Sequence, residues 1–304
     1  MSKRAFLFPG QGSQYIGMAK DLFDNSVEAK EMIKTADDAL GINLSYIMFN
    51  GPEEQLKQTE FTQPAIFLHS VILANIIRTL SPQATAGHSL GEYSALVSAG
   101  AMQFYDAVTL VRERGKAMQQ AGIDNPGTLA AIVGLNPEIV ENLCVEASKE
   151  GIVQCANFNS PGQIVISGSI AGVRKAMELC KSNGAKLVKE LVVSGAFHSP
   201  LMQSAKDYLL NVLNKTPIYN ARFPVYANVT AKPVTDKGEI KKMLFEQVTS
   251  PVRWEETIKN MISDGFDEFY EIGPGKVLQG LVKRINPDVK IFGIDKFEDV
   301  EKYL

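Results

Sequence analysis

Ser89 stands in a pattern that is typical of catalytic serines. The segment Gly87-His88-Ser89-Leu90-Gly91 fits G-x-S-x-G, in which the glycines permit a tight turn between a strand and a helix. Such a turn exposes the serine hydroxyl beside the N-terminus of the helix, where free N–H groups stabilise an oxyanion. Strand-like residues precede this segment and helix-like residues follow it, which favours a nucleophile over an ordinary turn.

A serine nucleophile needs a base, and the chain offers three histidines, His69, His88 and His198. His69 falls in an apolar segment that is typical of a buried core helix. His88 adjoins the serine, so its side chain should point away from that of Ser89. His198 comes later in the chain, in the Ser-before-His order of the α/β hydrolases, and we predict it as the base. No acid stands out as a third member, and a backbone carbonyl or an amide could orient the ring instead.

Two glycine-rich segments do not fit the nucleotide-binding motifs. After Gly10-Gln11-Gly12-Ser13-Gln14, Tyr15 stands where a dinucleotide fingerprint requires its third glycine. This segment suits a tight turn whose N–H groups approach another loop. Gly273-Pro274-Gly275-Lys276 lacks the other residues of a P-loop and predicts a turn before a helix.

Arg112 and Arg114 lie two residues apart on a predicted helix and should therefore face different sides. A buried arginine binds a carboxylate in a bidentate manner. From the local sequence alone, each of the two is expected to be a surface charge.

Composition narrows the class of protein. The 304 residues are 45% hydrophobic and 21% charged with a net charge of −3, as in ordinary globular proteins. The slight acidity argues against a nucleic-acid-binding protein, and no apolar segment predicts a membrane span. Cys144, Cys155 and Cys180 form no C-x-x-C pair, so we expect neither a metal site nor a disulfide framework. With no signal-peptide pattern, we expect a cytoplasmic protein.

The elements that must position these residues predict an α/β fold. Strands are predicted at Ala5–Phe8 and 83–86, and a buried helix at Ala65–Leu80 with Pro64 at its first position. Residues 128–193 carry the order β-α-β-β-α-β, which ends in a strand at Lys186–Val193. We therefore predict a large domain, residues 1–126 and 197–304, with an inserted small domain at 127–196.

Taken together, these motifs resemble those of the malonyl-CoA:acyl carrier protein transacylase family of bacterial fatty-acid synthesis, and those of the related acyltransferase domains of polyketide synthases. The resemblance covers essentially the whole chain. The matching segments are Phe8-Pro9-Gly10-Gln11-Gly12-Ser13-Gln14, Thr62-Gln63-Pro64-Ala65, Gly87-His88-Ser89-Leu90-Gly91-Glu92, Arg114-Gly115-Lys116-Ala117-Met118-Gln119, Asn157-Phe158-Asn159-Ser160-Pro161-Gly162-Gln163, Ala196-Phe197-His198-Ser199-Pro200, Gln247 with Ser250-Pro251-Val252, and Glu271-Ile272-Gly273-Pro274-Gly275. Ala117 departs from the family, in which many relatives carry a larger apolar residue.

The resemblance implies an α/β-hydrolase-like large domain and an inserted ferredoxin-like small domain, with the site in the cleft between them. It implies that Ser89 takes the acyl group and that His198 is its base. Backbone N–H groups of Gln11 and Leu90 would form the oxyanion hole.

Three further residues receive roles from the resemblance. Arg114 would bind the free carboxylate of the malonyl group. Gln247 would help to hold the site, with its backbone carbonyl orienting His198. Phe197 resembles the malonyl-selecting form of its motif and would crowd a methyl branch on the α-carbon.

The implied reaction is the ping-pong transfer of malonyl from malonyl-CoA to the phosphopantetheine thiol of acyl carrier protein. CoA is the product, no cofactor is tightly bound, and the family is usually monomeric. Two enzyme alternatives remain, an acyltransferase that serves a polyketide synthase and a hydrolase that clears acyl groups from carrier proteins. A non-enzymatic interaction module would not need these residues. Lys181, Lys186 and Lys189 could steer an acidic carrier protein, or could form an ordinary solvated face.

Overall fold

A computed structural model describes residues 2–191 and 193–304 as an α/β protein with two sheets. The strands, β1 to β10, are Arg4–Phe8, Ala84–Gly87, Gly127–Val133, Val153–Ser160, Gln163–Ser169, Leu187–Leu191, Val225–Tyr226, Pro233–Val234, Glu268–Ile272 and Lys290–Ile294. The α-helices, α1 to α14, are Lys20–Asn25, Val27–Leu40, Leu44–Asn50, Glu53–Leu56, Thr59–Ile76, Gly91–Ser98, Phe104–Asp124, Pro137–Ala147, Ile170–Ser182, Gln203–Lys215, Lys237–Gln247, Trp254–Ser263, Val277–Ile285 and Phe297–Val300. Short 3₁₀ helices lie at Pro200–Met202 and Glu301–Tyr303.

The larger sheet brings the two glycine-containing loops of the sequence together. Its strand order is β10-β9-β1-β2-β7-β8, and the strands from β10 to β7 are parallel. Strand β1 is buried on both faces from Ala5 to Phe8, as an apolar central strand requires. Phe8 pairs with Gly87 at the carboxyl ends of β1 and β2. The loops that begin at Pro9 and His88 therefore lie side by side.

The turn from β2 into α6 needs its glycines because backbone segments approach closely there. A Cβ atom on Gly87 would lie 1.9 Å from the carbonyl carbon of Gly91, and one on Gly91 would lie 2.0 Å from the carbonyl oxygen of Phe8. Between them Ser89 adopts a positive φ of 50°, a region that non-glycine residues rarely occupy. This strained backbone projects the serine hydroxyl from the end of the sheet.

Helix α5 is buried on nearly all sides, as predicted, but the predicted boundaries are wrong. It begins at Thr59, so Pro64 lies inside the helix and not at its first position. Proline cannot donate to the carbonyl four residues earlier. Here the Arg112 side chain donates to that carbonyl of Glu60 at 2.6 Å and replaces the missing bond. The helix ends at Ile76 rather than Leu80, because the N–H groups of Arg78 and Thr79 donate to the carbonyl of Tyr303 instead of to the helix.

The smaller sheet has the strand order β4-β5-β3-β6 and is antiparallel. Helices α8 and α9 pack together against it, and their side chains share one apolar core with the strands. This arrangement confirms the predicted β-α-β-β-α-β order. Strand β4 continues to Ser160, so only Pro161 and Gly162 separate it from β5. The last strand is Leu187–Leu191, which is shorter than the predicted Lys186–Val193. Val192 lies outside the described residues.

Strand β4 also joins the smaller sheet to the rest of the molecule. The N–H of Phe158 donates to the carbonyl of Val252 at 2.9 Å, and the N–H of Val252 donates to the carbonyl of Ala156 at 2.8 Å. The strands of the smaller sheet all lie within 127–191. We propose on this basis the domain boundaries 1–126, 127–196 and 197–304.

Gly91→Ala should lower the free energy of unfolding by about 3 kcal/mol, because the new methyl group has no space beside Phe8. Gly280→Ala is the matched control, since it lies within α13 with no atom within 4 Å of the added Cβ. That change should raise the stability by roughly 0.5–1 kcal/mol through helix propensity. Urea unfolding followed by circular dichroism measures both. Equal stabilities for the two variants would contradict the close approach at Gly91.

Candidate active site

The side chains of Ser89 and His198 meet at the carboxyl end of the larger sheet. Ser89 Oγ lies 2.8 Å from His198 Nε2, and His198 Nδ1 lies 2.9 Å from the backbone carbonyl of Gln247. A carbonyl oxygen only accepts hydrogen bonds, so the ring proton is on Nδ1 and the Nε2 lone pair faces the serine hydroxyl. This is the arrangement by which a histidine removes a proton from a nucleophile.

The surroundings of His198 keep its ring neutral. The residue is 4% exposed, and burial together with the nearby Arg114 cation lowers its pKa to about 3. A ring with this pKa is unprotonated throughout the physiological range and is available as a base.

Arg114 is a buried cation beside the nucleophile. Its Nη1 donates to Gln63 Oε1 at 2.6 Å, and its Nη2 donates to Gln247 Oε1 at 3.0 Å and to Ser89 Oγ at 3.2 Å. Within the described part of the chain, no carboxylate forms a salt bridge with Arg114, and its Nε has no hydrogen-bond partner. A guanidinium held only by neutral groups is suited to an anionic ligand.

Both arginines of this helix are buried, so the expectation of two surface charges is wrong. Arg112 pairs with Glu60 at 2.9 Å and lies over the ring of Phe61, outside the site. Helix α7 packs on α5, which supplies polar partners for both arginines. The local pattern of α7 alone contains no sign of those partners.

Two residues of the site had no predicted role. Asn228 Oδ1 accepts from the N–H of Ser89 at 2.7 Å, and Asn228 Nδ2 donates to the carbonyl of Gly87 at 2.7 Å. Glu92 accepts from Gln247 Nε2 at 2.8 Å and from the N–H of Asn228 at 3.0 Å. Asn228 thus holds the strained turn at both ends. The sequence feature that could have indicated Asn228 is its position directly after an apolar strand.

Two backbone N–H groups near Ser89 are free to bind an oxyanion. Over residues 2–191 and 193–304, neither the N–H of Leu90 nor that of Gln11 has an acceptor within hydrogen-bond distance. The N–H of Ser89 is unavailable because Asn228 occupies it. Gln11 and Leu90 line the same cavity as Ser89.

This cavity has a volume of about 260 Å³ and lies between the two sheets. Its walls come from both predicted domains and include five of the predicted site residues. The lining residues are Gly10, Gln11, Gln63, His88, Ser89, Leu90, Met118, Leu129, Asn157, Asn159, Gln163, Val165, Leu191, Val193, Phe197, His198, Val277, Leu278 and Leu281. The structure therefore brings every predicted site residue to the cavity or, for Arg114 and Gln247, to hydrogen-bond distance of Ser89.

The other two histidines have hydrogen-bond partners other than Ser89. His69 is fully buried, and its Nε2 lies 2.7 Å from the carbonyl of Asp295. His88 Nε2 lies 2.9 Å from Asn159 Oδ1, and its ring packs against Trp254. In the described residues, no cluster of histidine, cysteine and acidic side chains could hold a metal ion. No helix within that same part is long and apolar enough to cross a membrane.

Comparison with known proteins decides the family. The family model described as "Acyl transferase domain" matches residues 5–290. The chain belongs to the acyl transferase family. A malonyl CoA-acyl carrier protein transacylase of Bacillus subtilis (strain 168) is 48% identical to this acyl transferase over 304 residues, which cover 99% of the chain and 96% of the relative. One of the same name from Staphylococcus aureus (strain COL) is 45% identical, with coverages of 99% and 98%.

Solved structures agree with this acyl transferase over its whole length. An acyl carrier protein S-malonyltransferase from Vibrio cholerae has a TM-score of 0.95 and 40% identity, with 99% of each chain covered. A malonyl-transacylase in complex with a type II PKS acyl-carrier protein has a TM-score of 0.96 and 40% identity, covering 100% of this chain and 99% of that one. They confirm the predicted fold class, an α/β-hydrolase-like large domain with an inserted ferredoxin-like small domain. The acyl transferase is an enzyme, as the resemblance implied.

The lowered pKa of His198 predicts the pH dependence of serine reactivity. An ordinary histidine is half protonated near its usual pKa of 6.5, whereas His198, at about 3, stays neutral well below that. We follow the rate at which an aryl sulfonyl fluoride labels Ser89. Protonation of His198 should lower this rate only below about pH 5, because the ring is neutral and able to act as a base above that pH.

Glu92 must be distinguished from His198 in this measurement, because burial raises the pKa of Glu92 to about 7 and its titration could also change the rate. A Glu92 variant is therefore the control. Glu92→Gln should remove any inflection near neutral pH and retain the fall in acid. A fall centred between pH 6 and 7 in both proteins would contradict a neutral, buried His198.

Proposed function

We propose that this acyl transferase moves the malonyl group of malonyl-CoA to the phosphopantetheine thiol of acyl carrier protein and so supplies extender units for fatty-acid synthesis. One observation carries the proposal. Arg114 is a buried cation without an ion-pair partner in the described residues, and its Nη2 lies 3.2 Å from the Ser89 hydroxyl. Malonyl, unlike acetyl or a longer chain, carries a carboxylate that can neutralise this charge.

The first half of the reaction acylates Ser89. His198 takes the hydroxyl proton, the oxygen attacks the thioester carbonyl, and the oxyanion binds the free N–H groups of Gln11 and Leu90. The imidazolium that forms donates to the Gln247 carbonyl and then delivers its proton to the departing CoA thiolate. Binding of the malonyl carboxylate to Arg114 removes the repulsion between that cation and the imidazolium.

The second half transfers the acyl group to the carrier. The phosphopantetheine thiol enters the vacated cavity, gives its proton to His198 and attacks the carbonyl of the serine ester. The bond between the acyl group and Ser89 Oγ then breaks, and His198 returns the proton to the departing serine oxygen. The same oxyanion site serves both halves. CoA leaves before the carrier thiol reacts with the acyl-serine intermediate, which is the basis of ping-pong kinetics. Phe197 lines the cavity beside His198, and we assign it the exclusion of α-methyl branches.

This chemistry requires no tightly bound cofactor, because N–H groups carry the developing negative charge and a neutral histidine moves the proton. We further propose, from the resemblance, that the enzyme acts as a monomer in the cytoplasm. The carrier protein is its partner. Lys181, Lys186 and Lys189 are exposed on the small domain, where they could steer an acidic carrier toward the cleft.

An acyltransferase that serves a polyketide synthase is the second candidate, favoured by the 0.96 TM-score to a malonyl-transacylase bound to a type II PKS carrier. Both candidates share one reaction, and the rates with purified carriers of the two pathways distinguish them. A hydrolase of neutral acyl chains is disfavoured, since it would bury the Arg114 charge to no purpose.

Arg114→Ala should lower kcat/KM for malonyl transfer about hundredfold, because a charge-assisted contact to the substrate carboxylate is lost. Acetyl transfer should fall far less. Arg112→Ala is the matched control, since this buried arginine pairs with Glu60 away from the site. It should lower the Tm and leave the malonyl-to-acetyl ratio unchanged. Equal losses for both acyl groups in Arg114→Ala would rule out the carboxylate contact.

Purified enzyme with malonyl-CoA should form malonyl-carrier on the phosphopantetheine-bearing carrier protein, and none on the carrier that lacks the arm. Electrospray mass spectrometry of the carrier measures both products. Release of free malonate at the same rate with and without the carrier would instead identify a hydrolase.

A further inference from the structure

The base of the site depends on two separate segments of the large domain, and one side chain of the small domain holds both. Gln154 lies on β4, and its Nε2 donates to the backbone carbonyl of His198 at 2.9 Å and to that of Thr249 at 3.2 Å. The first carbonyl belongs to the base itself. The second lies two residues after Gln247, whose own carbonyl accepts from the His198 ring. Both protons of the Gln154 amide are thereby used.

The backbone of His198 needs such a partner. Its φ is 58°, in the left-handed region that non-glycine residues rarely adopt. Strained residues of this kind persist only where the surrounding contacts fix them. The neighbouring Ser199 hydroxyl holds the carbonyl of Ala196 at 2.6 Å, and Gln154 is the side chain that holds the carbonyl of His198.

Strand β4 is a rigid support for this side chain. Beyond Gln154 it forms backbone hydrogen bonds with both sides of Val252, at 2.8 and 2.9 Å, and Asn159 near its end contacts His88. Gln154 is therefore fixed relative to the 247–252 segment at several points along one strand. A side chain on a loop could not hold two carbonyls with the same precision.

We propose that Gln154 is a positioning residue, through which the small domain aligns His198 with Gln247 and so directs Nε2 at Ser89. The small domain is then part of the base's support and not only one wall of the cleft. This inference rests on the Ser89–His198 chemistry of the proposed function but not on the identity of the acyl group. Malonyl and acetyl transfer should therefore depend on Gln154 equally.

Gln154→Glu tests the proposal with little change in size. An ionised carboxylate cannot donate, and it would face two carbonyl oxygens. At pH 8 the maximal rate of Ser89 acylation should fall about tenfold or more, with the malonyl-CoA concentration for half-maximal rate unchanged. At lower pH the introduced carboxyl becomes protonated and donates again. The ratio of variant to wild-type rate should therefore rise from pH 8 to pH 5.5.

The other titratable groups around position 154 are His198 and, on its outer side, Glu141, Cys144 and Cys155. They are common to both proteins, so the ratio of the two rates removes their effect. Gln203→Glu is the matched control, since Gln203 is exposed and, among the residues that the structure describes, its side chain bonds only to Asp207 at the surface. Its rate ratio should stay near one at every pH.

Gln154→Ala should show the same loss at pH 8 without recovery in acid, because it never regains a donor. Thermal unfolding of each variant reports its folded fraction. A Gln154→Glu ratio that stays constant with pH, or that equals one throughout, would overturn the positioning role. Absence of Ser89 acylation in the wild-type protein would instead refute the proposed function.

Discussion

The buried Gln247 is the residue on which both the base and the cation of the site depend. Its backbone carbonyl accepts from the His198 ring, and its side-chain oxygen accepts from Arg114. Its amide nitrogen donates to Glu92 and to the carbonyl of Ser89, which fixes the orientation of the amide. Because a single residue makes these contacts, the serine, its base and the proposed carboxylate-binding group keep one relative geometry.

The electrostatics of the site follow from this arrangement. A carboxylate in place of the backbone carbonyl of Gln247 would raise the pKa of His198. Its negative charge would also neutralise the nearby Arg114 cation. A carbonyl orients the ring without adding charge, so the pKa of His198 stays low and the Arg114 cation stays available. The absence of an acidic third member is therefore consistent with a substrate that carries its own carboxylate. Glu92 is hydrogen-bonded to the Gln247 side chain rather than to the His198 ring, and burial raises the pKa of Glu92 to about 7.

Much of this could be predicted from the sequence, because local rules govern it. The turn around Ser89 follows from its glycines, and the smaller sheet follows from periodicity and turn residues. The interior position of Pro64 could not be predicted, since its missing hydrogen bond is replaced by Arg112, more than forty residues away. Likewise, no local pattern pairs Asn228 with the backbone of Ser89, or Gln154 with that of His198. Such polar contacts depend on which strand ends the fold brings together.

The central claim is that Ser89 carries the acyl group, and mass spectrometry of the intact protein tests it most directly. After brief exposure to malonyl-CoA and an acid quench, the protein should gain the mass of one malonyl group, located by proteolysis on the peptide that contains Ser89. Ser89→Ala should gain none, and addition of the carrier protein before the quench should remove the group from the wild type. A malonyl mass that persists in Ser89→Ala, or none in the wild type under any quench, would contradict the account.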